Sequence, residues 1–344
     1  MRRVLLLLSA LGGLAPSCDE PVTCAEPWPA WTGDRSGCDP DVLPDVPPAP
    51  VSVPLPGDVT AVLDLSYDAS AGVALLGDLY LPGAVRADRG AIVVLHGGGW
   101  EDCGRRRDAV GETAYGLALL LGVPVFNVEY RLRQEGGGYP GNVRDVACAA
   151  RFLADAAAEY GFDPDRIALV GESAGAHLAL ITPVVGDREA GACGPLPPIT
   201  GVVAVSPVTD LPRLVRDGEI VAGAATAYTD SDCLQPVDTC AAVQACDRCV
   251  DASPLAHACT YDEELLVVQA PEGYDPLLPN APMADFVQAV QLAGGTAAMA
   301  VPTADALAAA GCPAGTPVHG FTPCLTTAAG AEIAATLERA LTAP

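Results

Sequence analysis

Residues Leu169–Leu180 read "LVGESAGAHLAL": one serine with a glycine two positions to either side, an apolar run before it and an alanine-rich segment after it. Gly171-Glu172-Ser173-Ala174-Gly175 matches the G-x-S-x-G turn, in which a strand passes abruptly into a helix. The glycines remove Cβ atoms from a bend where backbone segments crowd together. "RIALV" (Arg166–Val170) reads as a buried strand, and "AGAHLAL" reads as the opening of a helix. A serine so placed lifts its hydroxyl above a sheet, with a helix N-terminus behind it to favour negative charge. The bland alternative is a serine at a glycine-rich helix entry, and the pentapeptide alone does not separate the two.

A second motif separates them. "VVLHGGGW" (Val93–Trp100) puts His-Gly-Gly-Gly at the end of an apolar run well before the serine. Backbone without side chains can approach a carbonyl closely and offer N–H groups to an oxyanion. A phosphate loop would need a following G-K-[ST], which this chain lacks.

Around these motifs the chain alternates. The apolar runs "TAVLDLSY", "ALLGDLYL", "AIVVLHGGGW", "VPVFNVEY", "RIALVGES", "ITGVVAVSP", "LLVVQAP" and "TAAMAVP" read as strands. Helix-like segments lie between most of them, at 108–121, 141–160 and 282–293. This predicts an α/β fold, a mostly parallel sheet with helices on both faces. Residues 211–260 break the rhythm and carry Cys233, Cys240, Cys246, Cys249 and Cys259, which reads as a Cys-rich cap insertion. Cys246 and Cys249 form a C-x-x-C pair, but no second pair and no histidine at ligand spacing accompanies it. Disulfides are the stronger reading, and neither a metal nor an organic cofactor is expected.

Together these residues resemble the α/β-hydrolase fold, in the carboxylesterase branch related to hormone-sensitive lipase. The flanks "EYRL", "YGFDPDRIALVGESAGAHLA" and "SPVTDL" are similar to its small esterase and arylformamidase-like members. The resemblance runs from about Asp58 to the C-terminus. It implies a nucleophile, then an acid, then a histidine in chain order, with Ser173 as the nucleophile. Of the four histidines, His96 lies in the glycine loop, His177 one helical turn beyond Ser173, and His257 ahead of the acids. His319, in "PVHGFTP", matches the late histidine segment of the family. The resemblance implies Asp275 as the acid, in "LLVVQAPEGYDPLLP", with Glu272 as the reserve because the turn after the strand is longer than usual. The resemblance places the oxyanion donors on the backbone of Gly98, Gly99 and Ala174. It implies hydrolysis of small carboxylic esters through an acyl-enzyme. Arylformamidase-like amide cleavage or polysaccharide-ester deacylation are the sister readings, and a catalytically silent binding lipoprotein is the reading from a different class.

The composition bounds the partners. With 18 basic and 43 acidic side chains in 344 residues the formal charge is −25, which repels nucleic acid and anionic membranes. The start "MRRVLLLLSALGGLAPS" has the plan of a signal peptide over residues 1–17. Cys18 follows at a site that resembles a lipoprotein cleavage box, so lipidation of Cys18 and ordinary cleavage nearby both stand. The expectation is an exported protein, secreted, periplasmic or tethered to a membrane through Cys18. Thirteen cysteines agree with an oxidising compartment. Residues 18–57, rich in Pro and Asp, read as a linker or tether, and 58–344 as the hydrolase domain. Cys312 and Cys324 flank His319 in a segment with few apolar anchors, so a disulfide between them is expected.

Overall fold

The computed structural model describes residues 43–70, 72–102, 107–234 and 247–342. The proposed signal peptide, Cys18, Cys240 and Cys246 lie outside the described residues. Nine strands form one sheet in the order β1-β2-β3-β5-β4-β6-β7-β8-β9. They are β1 (Val51–Leu55), β2 (Val59–Asp68), β3 (Leu75–Pro82), β4 (Ala91–Leu95), β5 (Val125–Val128), β6 (Ile167–Glu172), β7 (Ile199–Val205), β8 (Glu264–Val268) and β9 (Ala297–Ala300). The β1–β2, β2–β3 and β3–β5 pairs are antiparallel, and every pairing from β5 to β9 is parallel.

The central strands read as unbroken apolar runs because both of their faces are covered. In β4, Ala91, Val93 and Leu95 join one core cluster while Ile92 and Val94 join the other. Helices α1 (Gly111–Leu121), α2 (Gly141–Asp155), α3 (Ala157–Tyr160) and α4 (Ala174–Glu189) alternate with the strands. Between β7 and β8 come α5 (Leu211–Arg216), α6 (Ala222–Thr229) and α7 (Arg248–Asp251). The chain then continues through α8 (Ala281–Leu292), α9 (Ala304–Ala309), α10 (Pro323–Ala328) and α11 (Gly330–Leu341). Buried residues of α2, α4 and α8 belong to the first cluster, and those of α1, α10 and α11 to the second.

One expectation needs correction. The stretch read as a linker ends in structure: Val51–Leu55 pairs with Val59–Leu63 as the edge strand β1, and Leu43 is buried in the core. Pro54 hides this strand from a propensity reading, yet an edge position tolerates a residue with no N–H to donate.

Disulfides join Cys148 on α2 to Cys193 beyond α4, Cys233 to Cys249, and Cys312 to Cys324. Cys259 is also disulfide-bonded. Cys249, from the C-x-x-C pair, is thus taken by Cys233. The segment between β7 and β8 is tied to α2, α4 and the loop before α2 by polar contacts. Tyr228 donates to Asn142 Oδ1 (2.9 Å), and Arg188 and Tyr139 both donate to Asp251 Oδ2 (2.7 Å each). Among the described residues no helix is long and apolar enough to cross a membrane.

Candidate active site

Ser173 sits between the last residue of β6 and the first of α4, at φ 51° and ψ −117°. L-residues rarely adopt such a conformation, and it persists only where the surroundings impose it. Here the surroundings are backbone. A Cβ on Gly171 would collide with the Gly175 carbonyl, and one on Gly175 would collide with the carbonyls of Leu95 and His96 at the end of β4. The two glycines thus let the β6–α4 turn press against the glycine loop. The Ser173 N–H is satisfied by the Val205 carbonyl at 2.9 Å.

His319 and Asp275 meet above the same edge of the sheet. Nδ1 of His319 lies 2.8 Å from Asp275 Oδ2, and the Asp275 side chain is buried. The backbone N–H groups of Leu277 and Leu278 donate to Asp275 Oδ1 (2.8 and 3.1 Å), and Gln269 Nε2 donates to Oδ2 at 3.0 Å. Burial pushes the Asp275 carboxyl up, but the hydrogen bonds from His319, Leu277 and Gln269 outweigh it and leave it below its ordinary value. Glu272 is elsewhere: it is exposed and accepts the Asn280 amide at 3.4 Å. The acid that reaches His319 is Asp275.

His319 Nε2 has no hydrogen-bond partner among the described residues. His319, Ser173, Ala174 and Gly99 together line a cavity of about 10 Å³, closed by Trp100, Val208, Val221 and Leu278. Gly98, the remaining oxyanion donor expected from the sequence, is not among the residues lining this cavity; its carbonyl accepts the amides of Glu101 (3.1 Å) and Asp102 (2.8 Å). Trp100 stacks on Tyr228 (ring centroids 4.5 Å apart, 9° between planes) and meets His177 edge-on at 5.1 Å.

The other three histidines have different partners. His96 is buried and stacked on Tyr130, with Nδ1 2.8 Å from the Gly97 carbonyl and Nε2 3.2 Å from Glu129. His177 Nε2 lies 2.7 Å from the Ala252 carbonyl, and burial lowers its pKa to about 4. His257 Nε2 lies 2.8 Å from the Asp251 carbonyl, and burial lowers its pKa too.

Three residues of the site escaped the sequence reading. Glu172, beside the serine, accepts the Phe321 amide (2.6 Å) and the Gly97 amide (3.3 Å). Ser206 and Gln269 lie one residue beyond the ends of β7 and β8, both fully buried. The available signal was a polar residue closing a buried parallel strand, at the sheet end where α/β folds gather their sites.

Comparison with known proteins agrees with this geometry. The chain is 37% identical over 103 residues to carboxylesterase NlhH of Mycobacterium tuberculosis, covering 30% of this chain and 31% of the relative. It is 37% identical over 91 residues to ethyl acetate hydrolase of Pseudomonas putida, covering 26% of this chain and 28% of the relative. The chain therefore spans about a third of the length of the curated relatives it matches. Two solved structures share the fold. A truncated carbohydrate esterase from gut microbiota aligns with TM-score 0.58 at 18% identity, over 83% of this chain and 98% of that one. The propionate-bound esterase Est2 of Thermogutta terrifontis aligns with TM-score 0.59 at 20% identity, over 81% and 95%. Residues 77–282, which include Ser173, Asp275 and the glycine loop, match the BD-FAE family, and the chain belongs to that family of carboxylesterase-related α/β hydrolases.

Proposed function

We propose that this protein is an exported serine carboxylesterase that hydrolyses small acyl esters through an acyl-enzyme. The observation that carries the reading is the meeting in one cavity of Ser173 with His319, whose other ring nitrogen is 2.8 Å from buried Asp275. With Nδ1–H donated to Asp275, Nε2 is the basic nitrogen and faces no competing donor. Catalytic hydrogen bonds tighten when substrate arrives, so the serine need not be bonded to Nε2 beforehand.

The chemistry then runs in two halves. Nε2 of His319 takes the Ser173 Oγ proton as Oγ attacks the ester carbonyl carbon, and the carbonyl π electrons move onto oxygen. Backbone N–H groups of Gly99 and Ala174, both lining the cavity, stabilise that oxyanion. The tetrahedral adduct collapses, and His319 returns the proton to the departing alkoxide, which leaves as the alcohol. Water gives a proton to His319 and attacks the acyl-Ser173 carbonyl. The second collapse frees the carboxylic acid as His319 returns its proton to the departing Ser173 Oγ, restoring the serine. Asp275 holds the imidazole orientation and stabilises its charged form in both halves.

The narrow cavity and its walls of Trp100, Val208, Val221 and Leu278 favour short acyl groups over long ones. Disulfides in the described residues support export, since such bonds persist in oxidising compartments. An intact Ser173–His319–Asp275 constellation argues against a silent binding protein.

The test is labelling with a fluorophosphonate, together with turnover of p-nitrophenyl esters. The wild type is expected to take one adduct on Ser173, and Ser173→Ala to lose about 10⁶-fold in kcat without a change in thermal stability. A Ser173→Ala protein that keeps more than a few per cent of turnover overturns the reading.

A further inference from the structure

We propose that Ser206 and Gln269 are positioning residues that close a ring of hydrogen bonds around the Asp275–His319 pair. The proposal rests on the reading of Ser173, His319 and Asp275 given above. The ring starts beside the histidine, where the Gly320 N–H donates to Ser206 Oγ at 3.1 Å. Ser206 Oγ–H donates to Gln269 Oε1 at 2.8 Å. Gln269 Nε2 donates to Asp275 Oδ2 at 3.0 Å, and the same oxygen is 2.8 Å from His319 Nδ1. Because His319 and Gly320 are adjacent in the chain, the circuit returns to where it began.

The order of donors leaves one consistent arrangement. A backbone N–H can only donate, so Ser206 Oγ accepts from Gly320 and its own proton is free for Gln269. That makes the Gln269 oxygen face Ser206 and turns its amino group towards Asp275. The second amino hydrogen is used too, on the Leu278 carbonyl at 3.1 Å. A reversed amide would set Oε1 against the carboxylate and repel it. Asp275 Oδ2 therefore receives a fixed donor from one side and the imidazole from the other. This holds Nδ1 in the protonated tautomer and leaves Nε2 for the serine.

The surroundings make the ring rigid. Ser206 and Gln269 are fully buried, next to each other across the β7–β8 pair, and the Ser206 amide donates to the Val268 carbonyl at 2.8 Å. Ser206 has φ 51°, a conformation seldom adopted without external constraint. Partners of this kind matter because catalytic groups tolerate little displacement. Two buried polar residues satisfying each other at strand ends would also be seen in a merely structural role, and the two roles differ in what they do to proton affinity. Of the other ionisable groups, Glu172 faces the histidine loop from β6, where its carboxylate accepts the Phe321 amide.

The experiment compares full-length wild type, Gln269→Met, Ser206→Ala and Ser173→Ala, with kcat and KM for p-nitrophenyl acetate measured across pH. Gln269→Met keeps side-chain length but removes the donor, and Ser206→Ala removes a single oxygen. Both are expected to lower kcat about ten- to hundredfold with little change in KM. In Gln269→Met the acidic limb of the kcat/KM profile moves to higher pH, because a carboxylate robbed of a donor holds the imidazolium more strongly. The downfield proton NMR resonance of the His319 Nδ1–H should shift and broaden in both variants. If Gln269→Met fails to fold, Ser206→Ala carries the test, with the same shift and broadening. Folded variants with wild-type kcat/KM, or with activity lowered equally at every pH and the resonance unmoved, overturn the proposal. Should Ser173→Ala retain turnover, the underlying reading of the site fails instead.

Discussion

The carboxylate of Glu172 accepts the backbone N–H of Phe321 at 2.6 Å, so the residue before Ser173 holds the residue two beyond His319. Its other oxygen receives the Gly97 amide at 3.3 Å. One buried side chain thereby ties together the serine turn, the glycine loop and the histidine loop, which are far apart in sequence. Gly320 lies between His319 and Phe321 at φ 59°, and a Cβ there would run into the Glu172 carboxylate. The histidine loop can come this close only because that position is glycine.

The two acids are separable by substitution. Asp275→Asn leaves the geometry but removes the charge that selects the histidine tautomer, and a loss of roughly 10⁴-fold in kcat is expected. Glu272→Gln should leave kcat nearly unchanged, because its carboxylate is exposed and its bond to Asn280 is long, at 3.4 Å. Steady-state kinetics on both variants checks this, and the reverse ranking would move the acid role to Glu272.

The Cys312–Cys324 bridge joins residues 12 positions apart in sequence and closes a loop that contains His319. Replacing both cysteines by serine is expected to destabilise the protein by about 3 kcal/mol in the chain-entropy view. It should also lower kcat more than it raises KM, since a freer loop misplaces the histidine and leaves the acyl walls intact. Urea unfolding and kinetics on the double variant measure the two effects, and unchanged values in both would sink the idea.

Acyl length should respond to Leu278. Leu278 and Val208 line the catalytic cavity and also a second cavity of about 20 Å³ whose apolar walls include Pro207, Leu214, Pro282 and Met283. They form the partition between the two. Leu278→Ala is expected to widen the catalytic cavity towards the second one, and so to raise the kcat/KM ratio of p-nitrophenyl butyrate to acetate about tenfold. A panel of chain lengths reads this directly, and an unchanged ratio would mean that Leu278 does not bound the acyl group.

Acid sensitivity should carry the signature of His177. Burial lowers its pKa from 6.5 to about 4 in the folded state. Above pH 6.5 the ring is neutral in both states and folding is unaffected. Between about 6.5 and about 4 the unfolded chain takes up a proton that the folded one refuses, so stability falls as pH falls. The full window is worth about 3 kcal/mol. Urea unfolding at pH 7, 5.5 and 4 should show a steeper decline for wild type than for His177→Gln, which has nothing to titrate there. Parallel declines would show that His177 does not stay neutral in the folded protein.

The local chemistry of this protein was legible in its residues. Eight strands announced themselves as short apolar runs: six of them, β4 to β9, form the parallel part of the sheet, which demands such runs where both faces are covered, while β2 and β3 pair antiparallel beside it. The serine turn and the glycine loop were readable because each needs its glycines within a few residues, a constraint written along the chain. The strand at Val51–Leu55 was not, since what makes it a strand is a partner, Val59–Leu63, and an edge position that excuses Pro54. The sequence ranked Asp275 ahead of Glu272, three positions apart, but only the fold decides between them by bringing Asp275 to within 2.8 Å of a histidine 44 positions away. Glu172, Ser206 and Gln269 were the least visible. A buried polar side chain is defined by the groups that satisfy it, and theirs come from loops that meet only when the sheet, its two helical layers and the histidine segment are all assembled.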